Sequence, residues 1–173
     1  MPSLLPLRSC NPAAVETLLD DAFGADRRTR TAYRLRAGTD YIGALSFGLI
    51  AGNRLVGCIQ CWPAEILPNA ILEDDGEAVP LVLVGPVAVA PANQGEGLGK
   101  ALMAAMLDAA MLEGNPPMVM IGDAEYYIRF GFSANETSGW QLPGPYDPKR
   151  LLLRNDGDYI LPLIGMVGPA KGD

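Results

Sequence analysis

The sequence predicts a mixed α/β fold, a sheet with helices on both faces, and three stretches carry that expectation. Leu81–Val89 is almost wholly apolar without helical period, as a central strand covered on both faces must be. Gly97–Glu113 places Leu98, Leu102, Met106 and Ala109 at helical intervals and closes on Gly114, with Pro116 and Pro117 beyond it. Gly43–Ile50 and Leu55–Trp62 are apolar runs separated by Gly52-Asn53-Arg54, the pattern of a hairpin.

The remaining elements follow in order. Leu4–Arg8 fits a first short strand. Asn11 then offers an N-cap and Pro12 a preset first turn, so a helix is expected from there. Val15, Leu18, Leu19 and Ala22 form its apolar stripe, which stops near Gly24. Asp26–Asp40 is polar and fits helix or loop. Its arginines, Arg27, Arg28, Arg30, Arg34 and Arg36, are the one basic cluster and read as a solvated face. Pro63–Pro80, rich in prolines and acids, reads as a surface loop. Met118–Ile121 is a short buried strand, Asp123–Phe130 a short helix, and Gly131 onward a loop-rich antiparallel tail that includes Leu151–Leu153. No linker or repeat interrupts the chain, so residues 1–173 are expected to form a single domain, with 165–173 as a frayed end.

Composition narrows the function. A hydrophobic fraction of 49% with 20 glycines and 15 prolines suits a globular chain with many turns. The net charge of −7 argues against a nucleic-acid track, which needs clustered cations to displace counterions from phosphates. No run reaches the ~20 apolar residues of a membrane span, and Met1–Leu7 lacks the basic start of an export signal. A cytoplasmic protein with no nucleic-acid or membrane partner is therefore expected. Cys58 and Cys61 have CxxC spacing but would point to opposite faces of a strand, and no further Cys pair or His completes a metal site. They read as buried reduced thiols, with no metal.

Between the strongest strand and the strongest helix lies Gln94-Gly95-Glu96-Gly97-Leu98-Gly99-Lys100. Three glycines let successive backbone N–H groups converge without Cβ obstruction, and the helix start adds its partial positive charge, a cradle for a diphosphate. A Walker loop would need Gly at 94 and Ser or Thr at 101, where the chain has Gln94 and Ala101. A dinucleotide fingerprint would need its last glycine where Lys100 or Leu102 stands.

The remaining pattern, Gln-x-x-Gly-x-Gly at a strand-to-helix junction, resembles the pyrophosphate signature of the GNAT superfamily of acyl-CoA-dependent N-acetyltransferases. Val87-Ala88-Val89-Ala90-Pro91 resembles that superfamily's fourth strand and its exit. Tyr127-Ile128-Arg129-Phe130-Gly131-Phe132 is similar to its second signature, Tyr-x-x-x-Gly-Phe. Gly85-Pro86-Val87, Gly122-Asp123 and Leu142-Pro143-Gly144-Pro145 are similar to a bacterial N-acetyltransferase subgroup.

The resemblance implies a mostly antiparallel mixed sheet whose fourth and fifth strands splay to admit acetyl-CoA or CoA as co-substrate. It implies that the backbone of Val87, Ala88 and Val89 pairs with the pantetheine, that Gln94, Gly95, Glu96, Gly97, Leu98, Gly99 and Lys100 hold the pyrophosphate, and that a backbone N–H near Val87 polarises the thioester. Tyr127 matches the acid that protonates the departing thiolate. The acceptor implied is an amine, on a small molecule or a peptide, acylated by direct attack in a ternary complex; a homodimer is left open. For the base, Glu65, Glu73, Asp74, Asp75, Glu77 and Asp123 are candidates beside an ordered water, Asp123 reading also as a helix cap. Trp62 and Trp140 could line an acceptor pocket or simply pack. Without a clear base, a non-catalytic acyl-CoA sensor stands as the alternative to an enzyme.

Overall fold

The computed structural model describes residues 1–69 and 76–171. Its strands are β1 (Ser3–Pro6), β2 (Phe47–Ala51), β3 (Arg54–Pro68), β4 (Val79–Val89), β5 (Met118–Ile121), β6 (Trp140–Gln141), β7 (Leu151–Arg154) and β8 (Gly165–Pro169). Its α-helices are α1 (Pro12–Phe23), α2 (Thr31–Arg34), α3 (Leu98–Leu112) and α4 (Ala124–Tyr127). The sheet runs β1-β2-β3-β4-β5-β7, with β8 joined to β3 and β6. Antiparallel pairs dominate, and β4–β5 and β6–β8 are parallel. The chain divides into two compact units, Met1–Thr29 with Tyr41–Cys61 and Val84–Glu113, and Arg30–Asp40 with Trp62–Leu83 and Gly114–Asp173. β3 and β4 each contribute residues to both.

In the first unit Asn11 caps α1, its side chain accepting from the Ala13 N–H at 2.9 Å, and Gly24 ends the helix with φ +93. Val15, Leu18 and Leu19 are buried on the expected stripe. The β2–β3 ladder is the expected hairpin, although Gly43–Leu45 forms a 3-10 turn ahead of the strand. At Gly57 of β3, a methyl group would lie 3.2 Å from Leu102 Cδ1 and 3.3 Å from the Ala88 carbonyl oxygen. Glycine here lets α3 and β4 close onto β3, and the Ala90 N–H donates to the Val56 carbonyl at 2.8 Å just where β4 ends. These contacts fix the strand exit and the helix that flank the glycine turn.

Arg27 departs from the solvated face expected of the basic cluster. It is 1% exposed, its Nε–H donates to Asp20 Oδ1 at 2.9 Å, and Nη2 pairs with Glu16. A buried guanidinium persists only with such partners, and α1 supplies both acids from successive turns of one face.

In the second unit Leu81, Leu83, Val119, Leu151, Leu153, Trp140 and Val167 share one apolar core. The β4–β5 ladder comprises Val82↔Met118 and Leu83↔Val119, and β5 pairs along its whole length with β7, from Met118↔Arg154 to Ile121↔Leu151. β4 itself continues beyond its ladder with β5 to Val89. Two expectations are corrected here. Residues 63–68, read as loop, continue β3, and Gly165–Pro169, read as a frayed end, is β8, antiparallel to β3 from Ala64↔Pro169 to Pro68↔Gly165. Both corrections have one cause: the segments order by pairing with each other across roughly a hundred positions, which local composition does not record. Residues 79–80, also read as loop, begin β4.

Candidate functional site

The glycine turn follows β4 through a 3-10 turn at Pro91–Asn93. Gly95 (φ +86) and Gly97 (φ +78) are both left-handed, a region that a β-branched side chain enters only under strain. A methyl group at either would meet nothing within 4 Å, so their open faces point away from the rest of the chain. Gln94, Gly95, Glu96 and Gly97 are exposed, and Leu98 beyond them is buried, anchoring α3. Gly97 is the N-cap of α3 and brings no side chain to bond the first N–H groups of the helix, which therefore remain as donors for an anion. Ala88 is buried, and Val87 and Val89 are half-buried beside it. Lys100 is exposed.

Tyr127 is the last residue of α4, which Asp123 caps by accepting from the Glu125 N–H at 3.0 Å. The Tyr127 N–H donates to the Asp123 carbonyl at 2.9 Å, and its own carbonyl accepts from the Phe132 N–H at 3.3 Å. Gly131, at φ +85, makes the reversal that brings Phe132 back, and Phe132 is fully buried. This explains the Tyr-x-x-x-Gly-Phe spacing: a helical turn, a left-handed residue, then an apolar anchor. Around the half-buried phenol, Tyr126 lies edge-on at 4.9 Å between ring centroids and Phe132 at 6.5 Å. Burial raises the Tyr127 phenol above the ordinary tyrosine value; Tyr126 adds to the rise, Arg150 opposes it, and Asp123 adds a smaller rise. The group keeps its proton at neutral pH.

The GNAT acetyltransferase domain model matches residues 44–134, more than half of the chain and both motifs. The chain belongs to the GNAT family. Among curated GNAT relatives, the uncharacterized N-acetyltransferase YhbS of Escherichia coli K12 is 28% identical over 121 residues, 68% of this chain and 65% of the relative, so the match spans just under two thirds of that protein. The same fold appears in a crystal structure of E. coli YhbS in complex with CoA, at a TM-score of 0.70 and 20% identity, covering 96% of this chain and 88% of that one. A GNAT acetyltransferase of Brucella melitensis in complex with acetyl-CoA aligns at a TM-score of 0.55 and 24% identity, covering 91% and 97%.

Asp123 is an exposed cap, Glu77 is exposed, and Glu65 is half-buried on β3 opposite Gly168. Glu73, Asp74 and Asp75 lie outside the described residues. Trp140 is 2% exposed, with its indole N–H donating to the Pro162 carbonyl at 2.8 Å, so it packs rather than lines a pocket. Trp62 carries the Arg36 guanidinium over its ring at 4.2 Å, with Tyr33 on the same cation at 3.7 Å. Cys10, Cys58 and Cys61 are buried free thiols. One residue beside Tyr127 carried no role in the sequence: Gly122, buried at the exit of β5 against the tyrosine ring. Its only signal there was the Gly-Asp pair five residues ahead of Tyr127.

Proposed function

We propose that the chain transfers an acetyl, or another short acyl, group from acyl-CoA to an amine acceptor within a ternary complex. The observation that carries this reading is the exposed, left-handed glycine turn leading into an α3 N-terminus that no side chain caps. In a chain of net charge −7, such a turn offers an anion a local set of N–H donors where the overall field opposes it.

The backbone of Gln94–Lys100 binds the pyrophosphate and that of Val87–Val89 aligns the pantetheine. A neutral amine attacks the thioester carbonyl, and a backbone N–H near Val87 stabilises the oxygen as it gains charge. The C–N bond forms, the C–S bond breaks, and Tyr127 gives its proton to the departing sulfur. The proton lost by the amine leaves through water or a carboxylate, with half-buried Glu65 the protein group proposed. Tyr127 then regains a proton from solvent. No helix among the described residues is long and apolar enough to cross a membrane, and three buried free thiols fit a reducing compartment, so a cytoplasmic location is proposed.

The test supplies purified protein with acetyl-CoA and a panel of primary amines, reading free thiol and the mass of the acceptor. At least one amine is expected to accelerate thiol release and to appear acetylated. CoA binding without turnover across small amines and amine-bearing peptides would favour a non-catalytic sensor.

A further inference from the structure

Gly122 has no side chain because the Tyr127 ring occupies the place where one would stand. A methyl group at Gly122 would lie 2.8 Å from Tyr127 Cε2 and 3.0 Å from Cδ2. Contacts that close cannot persist between carbons, so one partner has to move.

Neither backbone is free to do so. The Gly122 N–H donates to the Arg150 carbonyl at 2.9 Å, and the Gly122 carbonyl accepts from Arg150 Nε at 3.4 Å, which ties the strand exit to the segment entering β7. Tyr127 is held at its N–H by Asp123 and at its carbonyl by Phe132. The remaining freedom is rotation of the tyrosine side chain, and Tyr126, Phe130 and Phe132 pack against the same ring. The closest contact is at Cε2, bonded to the Cζ that bears the hydroxyl, so a swing of the ring away from the methyl group carries the phenolic oxygen with it. A misplacement of about 1 Å costs a proton transfer on the order of 100-fold.

We infer that Gly122 is a positioning residue for the reaction: the missing Cβ sets the angle of the Tyr127 ring and hence where its hydroxyl delivers the proton. This rests on the reading of Tyr127 as the acid.

The experiment compares parent, Gly122→Ala, Tyr127→Phe and the double variant. Each is followed in a single turnover with acetyl-CoA and hydroxylamine, a small nucleophile already neutral at pH 7, alongside CoA affinity and thermal midpoint. Gly122→Ala is expected to slow the chemical step by roughly 10- to 100-fold with CoA affinity unchanged. Because a phenylalanine ring meets the same methyl group, the thermal midpoint should drop equally in both backgrounds. The rate should fall only where the hydroxyl is present.

An equal fractional rate loss in the Tyr127→Phe background makes Gly122 a packing residue and overturns the inference, as does an unchanged rate in Gly122→Ala. If Tyr127→Phe alone is as fast as the parent, the acid assignment fails first and takes this inference with it. Should Gly122→Ala not fold, Phe130→Leu makes room beside the ring. Gly122→Ala/Phe130→Leu is then compared with Phe130→Leu, and equal rates in that pair refute the positioning role.

Discussion

Tyr127 holds its proton beyond the range of an exposed phenol because burial penalises the phenolate, and the neighbouring Tyr126 adds to that penalty. The folded value lies above the unfolded one, so the contribution to stability is complete below about pH 10 and is lost as pH rises through the folded value. In a titration of phenolate absorbance, Tyr127→Phe is expected to remove one group that ionises above the ordinary tyrosine range. In a single turnover the same variant should lose about 100- to 10,000-fold in rate, the usual worth of a general acid, with CoA affinity retained. A parental rate, with chemistry limiting, would move the role to Tyr126 or to water. The cysteines give a second expectation at this scale. Burial pushes the Cys58 thiol up to about 12, and it raises Cys61 and Cys10 as well. A thiol reagent at pH 8 should therefore label none of the three until denaturant is added, and then all three. Fast labelling in buffer would contradict their burial, and slow labelling is what makes thiol release a clean assay of turnover.

Among the elements, the β4–turn–α3 unit carries the sharpest test. Gly97→Val forces a β-branched side chain into φ +78, and its bulk stands on the open face where the diphosphate is proposed to approach. Loss of one or two charge-assisted contacts predicts CoA affinity reduced by about 10- to 100-fold in calorimetry. Gly52 provides the matched control: it too is left-handed, at φ +62, with nothing within 4 Å, but it sits in the β2–β3 turn. Gly52→Val should share the backbone strain and bind CoA as the parent does. Equal affinity in both variants would remove the turn from the site. Lys100→Ala should matter less than Gly97→Val, since an exposed ammonium adds only a screened attraction. This unit was legible in the sequence because its signals are local: apolar run, glycines, then helical period. The Asn11 cap and the Gly24 stop were legible for the same reason. Pro63 misled because a proline inside a strand reads as its end. It falls between the last β2 pair, Phe47↔Ile59, and the first β8 pair, Ala64↔Pro169, where a missing N–H costs neither ladder a bond. Arg27 was opaque because its meaning lies in Asp20, seven positions back, and Gly122 because its meaning lies in where the Tyr127 ring comes to rest, which only the folded turn of α4 shows.

For the molecule as a whole, charge and binding pull in opposite directions. A chain of net charge −7 repels the polyanionic CoA at long range, so affinity has to come from short-range donors fixed by the fold. Ligand bound through folded backbone stabilises only the folded state, and the gain follows from concentration: about 2.7 kcal/mol when CoA stands at 100 times its dissociation constant. For a chain of this length each kcal/mol moves the thermal midpoint by roughly 2–4 °C, which predicts a rise of about 5–10 °C. Acetyl-CoA should act as CoA does, because the acyl group adds nothing to the pyrophosphate contacts. ATP at the same concentration should move the midpoint less, since it lacks the pantetheine proposed to lie along Val87–Val89. Gly97→Val should lose from about half to most of the CoA response at that concentration, and Gly52→Val should keep it. If ATP stabilises the chain more than CoA does, the turn is a general phosphate cradle and the strand plays no part in choosing the ligand; if neither moves the midpoint at saturating concentration, the site is misplaced.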